Sequence, residues 1–169
     1  MATSKLVGLV FEAWNDMDRV VDGLDAAEAV HRIDGGSSFA WTVAHATNQV
    51  DLWLNVRFAA HTPHPLVSQA QFRAGASGTA EDWGGIKSAI AEARALARDY
   101  LQDLDEPALD VVVPYDGSVT ALRETGLSPR HALLRISAHH YFHIGEIATK
   151  PDQLGHRVGD YPGALTQAI

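Results

Sequence analysis

The stretch Ser128-Pro129-Arg130-His131-Ala132-Leu133-Leu134-Arg135-Ile136-Ser137-Ala138-His139-His140-Tyr141-Phe142-His143-Ile144-Gly145-Glu146 combines a helix signature with a candidate chemistry. Ser128 followed by Pro129 has the form of a helix N-cap with proline at the first helical position, where no needed backbone donor is lost. The helix is expected to run to about Thr149, because Pro151 prevents continuation. Within it His139 and His143 stand four residues apart, which on a helix rotates their side chains by only about 40°. Neighbouring Cβ atoms at that spacing lie roughly 5–6 Å apart. Two imidazoles so placed can share one metal ion at about 2.0–2.1 Å per nitrogen.

Helical periodicity extends outward from there. A first helix is expected from about Ser4 to Leu24, with Val7, Val10, Trp14, Met17, Val21 and Leu24 as its apolar stripe. Gly35-Gly36 breaks the chain, and Ser37 or Ser38 can cap a second helix from about Phe39 to Ala59. Its inward stripe would include Trp41, His45, Leu52 and Val56. Residues 61–78, with two prolines and two glycines, read as a loop. Thr79-Ala80-Glu81-Asp82 resembles a capping box with Asp in place of Glu, opening a third helix to about Leu104. Leu109 to Pro114 is β-prone but too short to define a sheet, and Asp152 to Ile169 reads as an ordered tail. Four helices of about twenty residues, each some 30 Å long, make an all-α four-helix bundle the economical architecture. The second and third connections are long enough to cross over the length of such a bundle. No internal repeat is visible, and residues 1–169 read as one domain.

Composition narrows the function. The chain is 46% hydrophobic and 20% charged, as a globular protein is. A formal charge of −8 with 13 scattered basic residues argues against nucleic acid and against a polybasic membrane patch. Cysteine is absent, which excludes disulfides, thiolate ligands and a cysteine nucleophile. Residues Met1 to Lys5 run straight into a pattern broken by Glu12, Asn15, Asp16 and Asp18, unlike a signal peptide. No uncharged apolar run approaches the ~20 residues of a membrane span. A soluble cytoplasmic protein is the expectation.

Of the nine histidines, His31, His61, His64, His131 and His156 sit in polar or proline-rich surroundings and read as solvated or locally hydrogen-bonded. His139 and His143 also read as two satisfied histidines on a helix face. The pair lacks the glutamate of H-E-x-x-H peptidases, because His140 stands there, so the general base of that mechanism is missing. His45, in an apolar stripe of the second helix, is the best third ligand from the residues alone. It reads equally as a buried histidine bonded to a neighbouring side chain.

The spacing Ser-x-x-Trp-x-x-x-His at Ser38, Trp41 and His45, with a late His-x-x-x-His-x-Gly-Glu at His139, His143, Gly145 and Glu146, resembles the DinB/YfiT-like superfamily. The closing Gly159-Asp160-Tyr161-Pro162-Gly163 extends the likeness to nearly the whole chain. The resemblance implies a four-helix bundle, often a homodimer, that binds a divalent metal through three histidines, here His45, His139 and His143. It also implies kinship with S-transferases that use mycothiol or bacillithiol and with maleylpyruvate isomerase.

Three neutral imidazoles leave positions open on a metal, as catalytic rather than structural sites do. All-nitrogen ligation suits zinc, nickel, cobalt or iron, with zinc and nickel the leading candidates. By the same resemblance, the expected function is a metal-dependent, thiol-dependent S-transferase or isomerase acting on a small molecule, the thiol being a cofactor because the chain has none. Arg135, one turn before His139, is a candidate anchor for a substrate carboxylate, and Glu146 a candidate support for a ligand. The favoured reading for both is an ion pair or a solvated charge. Metal-dependent hydrolysis and a non-catalytic ligand-binding module are the alternatives. A di-iron carboxylate bundle is set aside, since only Glu28-Ala29-Val30-His31 fits its Glu-x-x-His motif.

Overall fold

Ser4 opens the first helix as its sequence position suggests, its hydroxyl accepting from the Leu6 N–H at 3.3 Å. Helix α1 then runs Lys5–Val20. The structure, a computed structural model, describes residues 4–157 and 159–169. Met1 to Thr3 of the N-terminal reading and Val158 of the tail lie outside the described residues. α1 stops short of Leu24 because the chain turns at Gly23, whose φ of 75° is left-handed. A short helix that periodicity does not announce follows, α2 at Ala26–Val30. It is held by a capping box: Asp25 accepts from the Glu28 N–H, and Glu28 accepts from the Asp25 N–H, each at 2.9 Å.

Ser38 caps α3 (Phe39–Val50), accepting from the Trp41 N–H at 3.2 Å. The helix does not end at Val50 but widens into a π-helix over Asp51–Phe58. Ala59 N–H, for example, donates to Leu54 O at 2.9 Å, five residues back. The wider turn rotates the inward face. Trp53 and Leu54 therefore take the buried positions, whereas Leu52 and Val56, expected inward, are only half-buried. Asn55 Nδ2 braces this segment by donating to Asp51 Oδ1 and Ala93 O.

Helix α4 is Trp83–Gln102, starting later than the Thr79 box predicts. Asp82 is the cap, accepting from the Gly85 N–H at 2.8 Å, while the Thr79 hydroxyl bonds to that of Ser77. After α5 (Thr120–Thr125) comes α6, Pro129–Ile147, with Ser128 Oγ accepting from the His131 N–H as its cap. Pro151 does not end helical structure. It occupies the first turn of α7 (Lys150–Gln153), where proline is tolerated. The β-prone segment makes one isolated antiparallel bridge, Val113 with Leu127, and the described residues contain no strand.

The chain is therefore all-α. α1 packs along α6, and α3 lies against both α4 and α6. Two apolar clusters fill the interior. One gathers Met17, Phe39, Ile86 and Ile144, the other Trp14, Leu54, Leu101 and Leu133. Each of α1, α4 and α6, and α3 with its π continuation, contributes to both. Among the described residues no helix is long and apolar enough to cross a membrane.

The tail is ordered for a reason the sequence does not state. Two buried carboxylates on α1 accept from its backbone: Asp16 from the Gly163 N–H at 2.9 Å and Glu12 from the Gln167 N–H at 2.7 Å. The tail crosses α1 at Gly8, where an added Cβ would lie 1.7 Å from Gln167 O. Gly8→Ala is accordingly expected to lift the tail at a cost of about 1–3 kcal/mol. Hydrogen exchange should speed up at the Gly163 and Gln167 amides while α6 stays protected. Unchanged exchange at those two amides would contradict this account of the tail.

Candidate metal centre

The Ser38 cap fixes the register of α3, so Trp41, His45 and Asn48 fall on one helix face. All three donate to the 61–78 loop: Trp41 Nε1 to Gln71 O at 2.6 Å, His45 Nδ1 to Phe72 O at 2.7 Å and Asn48 Nδ2 to Val67 O at 2.8 Å. One turn further on, buried Asp51 accepts from the His64 N–H and the Ser68 hydroxyl, both at 2.9 Å. The Trp41 ring also stacks on His45, with centroids 4.7 Å apart and planes 9° from parallel. A segment that reads as irregular loop is thus fastened to α3, and it fixes the orientation of one imidazole.

That orientation determines the tautomer. Nδ1 of His45 faces a carbonyl, so Nδ1 carries the proton and Nε2 keeps a lone pair. His143 is arranged alike: its Nδ1 donates to Glu146 Oε2 at 2.7 Å, which leaves Nε2 as the free acceptor. From the neighbouring turn of α6, His139 brings its Nε2 to 3.1 Å from the Nε2 of His143. Ring centroids are 4.9 Å apart for His45 with either partner and 4.5 Å for His139 with His143. One nitrogen from each ring lies within 4.8 Å of the others.

These groups fit a divalent cation. Two nitrogens about 2.0–2.1 Å from one ion stand about 2.9–3.4 Å apart at octahedral to tetrahedral angles, and the His139–His143 separation falls inside that range. Two of the three rings have their remote nitrogen committed to an oxygen acceptor, as imidazoles on metals do. Burial, opposed by the bond to Phe72, depresses the pKa of His45. Burial, reinforced by His143, His45 and Arg135, pushes His139 down to about 3. The ligand-competent neutral forms therefore prevail at neutral pH.

Of the remaining sequence candidates, Glu146 touches His143 as described, and Arg135 stands near His45 and His139 on the wall of a cavity of about 970 Å³. His140 is outside the grouping: fully buried, it bonds through Nδ1 to Ile136 O at 2.9 Å, and its pKa is pushed down to about 3 by burial and by Arg94. His64 bonds to Leu66 N–H and Glu92, and His156 to Glu28. His31, His61 and His131 are exposed. Arg57, Arg73 and Tyr115 share the cavity wall and were not foreseen. Arg57 reaches the wall from the π-helical segment. Asn48, three residues after His45, was recoverable from helical spacing alone.

The sequence profile of the DinB superfamily matches residues 11–147, a span that includes His45, His139 and His143. Among curated proteins, none matches the chain.

Acid should expose the cost of the buried imidazoles. His139 and His140 resist protonation in the folded chain, whereas unfolded histidine titrates near pH 6.5. Between about pH 6.5 and 3 the unfolded state binds more protons, so stability falls as pH falls through that window. Each residue contributes up to about 1.4 kcal/mol per pH unit. In metal-free protein, His140→Phe is expected to make the acid limb of the unfolding free energy shallower by about that amount. Urea titrations across the window measure it, and an unchanged slope would contradict the assignment.

Proposed function

The chain belongs to the DinB superfamily, and on that basis we propose that His45, His139 and His143 hold one divalent ion, zinc or nickel, in a metal-dependent enzyme. The observation that supports this most is the pair of fixed tautomers. Phe72 O and Glu146 hold the Nδ1 protons of His45 and His143, so both Nε2 lone pairs remain available within the three-imidazole cluster.

The activity proposed is thiol-dependent S-transfer or isomerisation, with mycothiol, bacillithiol or a similar small thiol as co-substrate. An ion with open positions lowers the pKa of a coordinated thiol, making a thiolate available near neutral pH. The chain's own residues set the conditions for that chemistry. Trp41 covers one face of His45, Glu146 keeps the His143 ring in place, and the cavity beside His45 and His139 admits the reactants. At about 970 Å³ that cavity has room for an organic co-substrate as well as a substrate. This favours a reaction between two organic molecules over hydrolysis, in which the second reactant is only water. A cytoplasmic homodimer acting on a small molecule is part of the same proposal, and Leu134 and Phe142, 50% and 70% exposed on α6, offer apolar contact to a second copy.

Protein purified without chelators should carry about one equivalent of zinc or nickel by elemental analysis and should conjugate a thiol to electrophiles. His45→Ala, His139→Ala and His143→Ala should each lose metal and turnover together. Wild-type protein without stoichiometric metal would overturn the metal centre. Metal without turnover for any thiol, but with ester or lactone hydrolysis, would replace S-transfer by hydrolysis.

A further inference from the structure

The chain carries a formal charge of −8, yet the wall of the cavity beside the histidines has the opposite sign. Arg57, Arg73 and Arg135 line it, against a single carboxylate, Asp116. Asp116 pairs with Arg57, whose guanidinium also lies 4.5 Å from the centre of the Tyr115 ring. Arg57 is thus held and largely neutralised. Arg73 and Arg135 form no ion pair with an acid among the described residues. Arg135 instead lies over Trp53, 5.8 Å from the ring centroid.

Such an arrangement needs a cause in a chain with 21 acidic residues. Arg73 and Arg135 leave the cavity wall with positive charge that no acid pairs among the described residues, and a cation held by the neighbouring imidazoles would add to it. An anion entering the cavity offsets both. The planar fork of arginine matches a carboxylate, which it can bind through two parallel hydrogen bonds. Leu52 and Val56, half-buried on the same wall, supply apolar surface for the body of such a molecule. Arginine stays protonated throughout the working pH range, so this selectivity does not titrate away.

We propose that the cavity binds its substrate as a carboxylate anion, with Arg73 and Arg135 receiving the carboxylate and Leu52 and Val56 flanking the rest of the molecule. Its standing as a substrate site rests on the reading of the three histidines as the reactive centre; the anion site itself does not. Benzoate and its neutral isostere benzamide separate the cases by calorimetry on metal-loaded and metal-depleted protein. Benzoate is expected to bind at least about tenfold more tightly than benzamide in both forms. Arg73→Gln and Arg135→Gln should each cost about tenfold in benzoate affinity and leave benzamide and metal content unchanged, and Arg135→Lys should keep part of the affinity. Both side chains are exposed, so thermal melts should show the variants folded.

Equal affinities for the two probes, or no benzoate binding by either form, would overturn the proposal. So would benzoate binding that disappears with the metal and ignores both substitutions, because the carboxylate then sits on the ion. Arginine-dependent benzoate binding by protein that takes up no metal would uphold the anion site and remove only the metal centre.

Discussion

The hydrogen bond from His45 Nδ1 to the carbonyl of Phe72 joins the fold to the site. It belongs to a row of donors on α3, with Trp41 and Asn48 on either side, that binds the 61–78 loop by its backbone carbonyls. A net contribution of about 0.5–1.5 kcal/mol per bond is modest, but losing one partner leaves a buried polar group unsatisfied, at about 1–3 kcal/mol. The loop and the imidazole therefore fix each other. Without the loop, His45 has no acceptor for Nδ1 and no preferred tautomer; without His45, the Phe72 carbonyl loses its donor.

The rest of the site follows from the cost of burying imidazoles. His45 is 9% exposed, and burial disfavours its charged form. A neutral imidazole has one donor and one acceptor nitrogen. Where an oxygen takes the donor, the acceptor must look elsewhere. At the centre of this cluster the Nε2 acceptor of His143 lies 3.1 Å from Nε2 of His139, whose Nδ1 has no hydrogen-bond partner among the described residues, so a cation can take a lone pair from each ring. His140, one residue along α6, shows the contrast. Its fully buried ring gives Nδ1–H to a carbonyl of its own helix and leaves Nε2 without a partner among the described residues, yet it stands outside the three-imidazole grouping.

Much of this was legible because it depends on local rules. Ser128-Pro129 marks its helix start directly, and the four-residue spacing of His139 and His143 places both rings on one face regardless of tertiary context. Ser38, Trp41 and His45 likewise follow from one cap and one turn of helix. The π-helix at Asp51–Phe58 was not legible: it depends on Asn55 reaching Ala93 across to α4, a contact between residues 38 apart in sequence. That widened turn moves Leu52 and Val56 off the core and brings Trp53 and Arg57 to the cavity. α2 was hidden by its brevity, since five residues show no period, although its Asp25–Glu28 box is present. In Thr79-Ala80-Glu81-Asp82 the cap is Asp82 and not Thr79, because sequence does not say which of the two faces the free amides. The tail is ordered by buried Glu12 and Asp16, which in a linear reading are only breaks in an apolar stripe.

X-ray absorption at the edge of the bound metal addresses the three-histidine centre most directly, because it counts ligands without depending on any substrate. Protein loaded with about one equivalent of zinc or nickel should show imidazole scattering from three nitrogens at about 2.0–2.1 Å, and His45→Ala should lose the metal and that scattering with it. A ligand shell without imidazole scattering, or one that His45→Ala leaves unchanged, would contradict it.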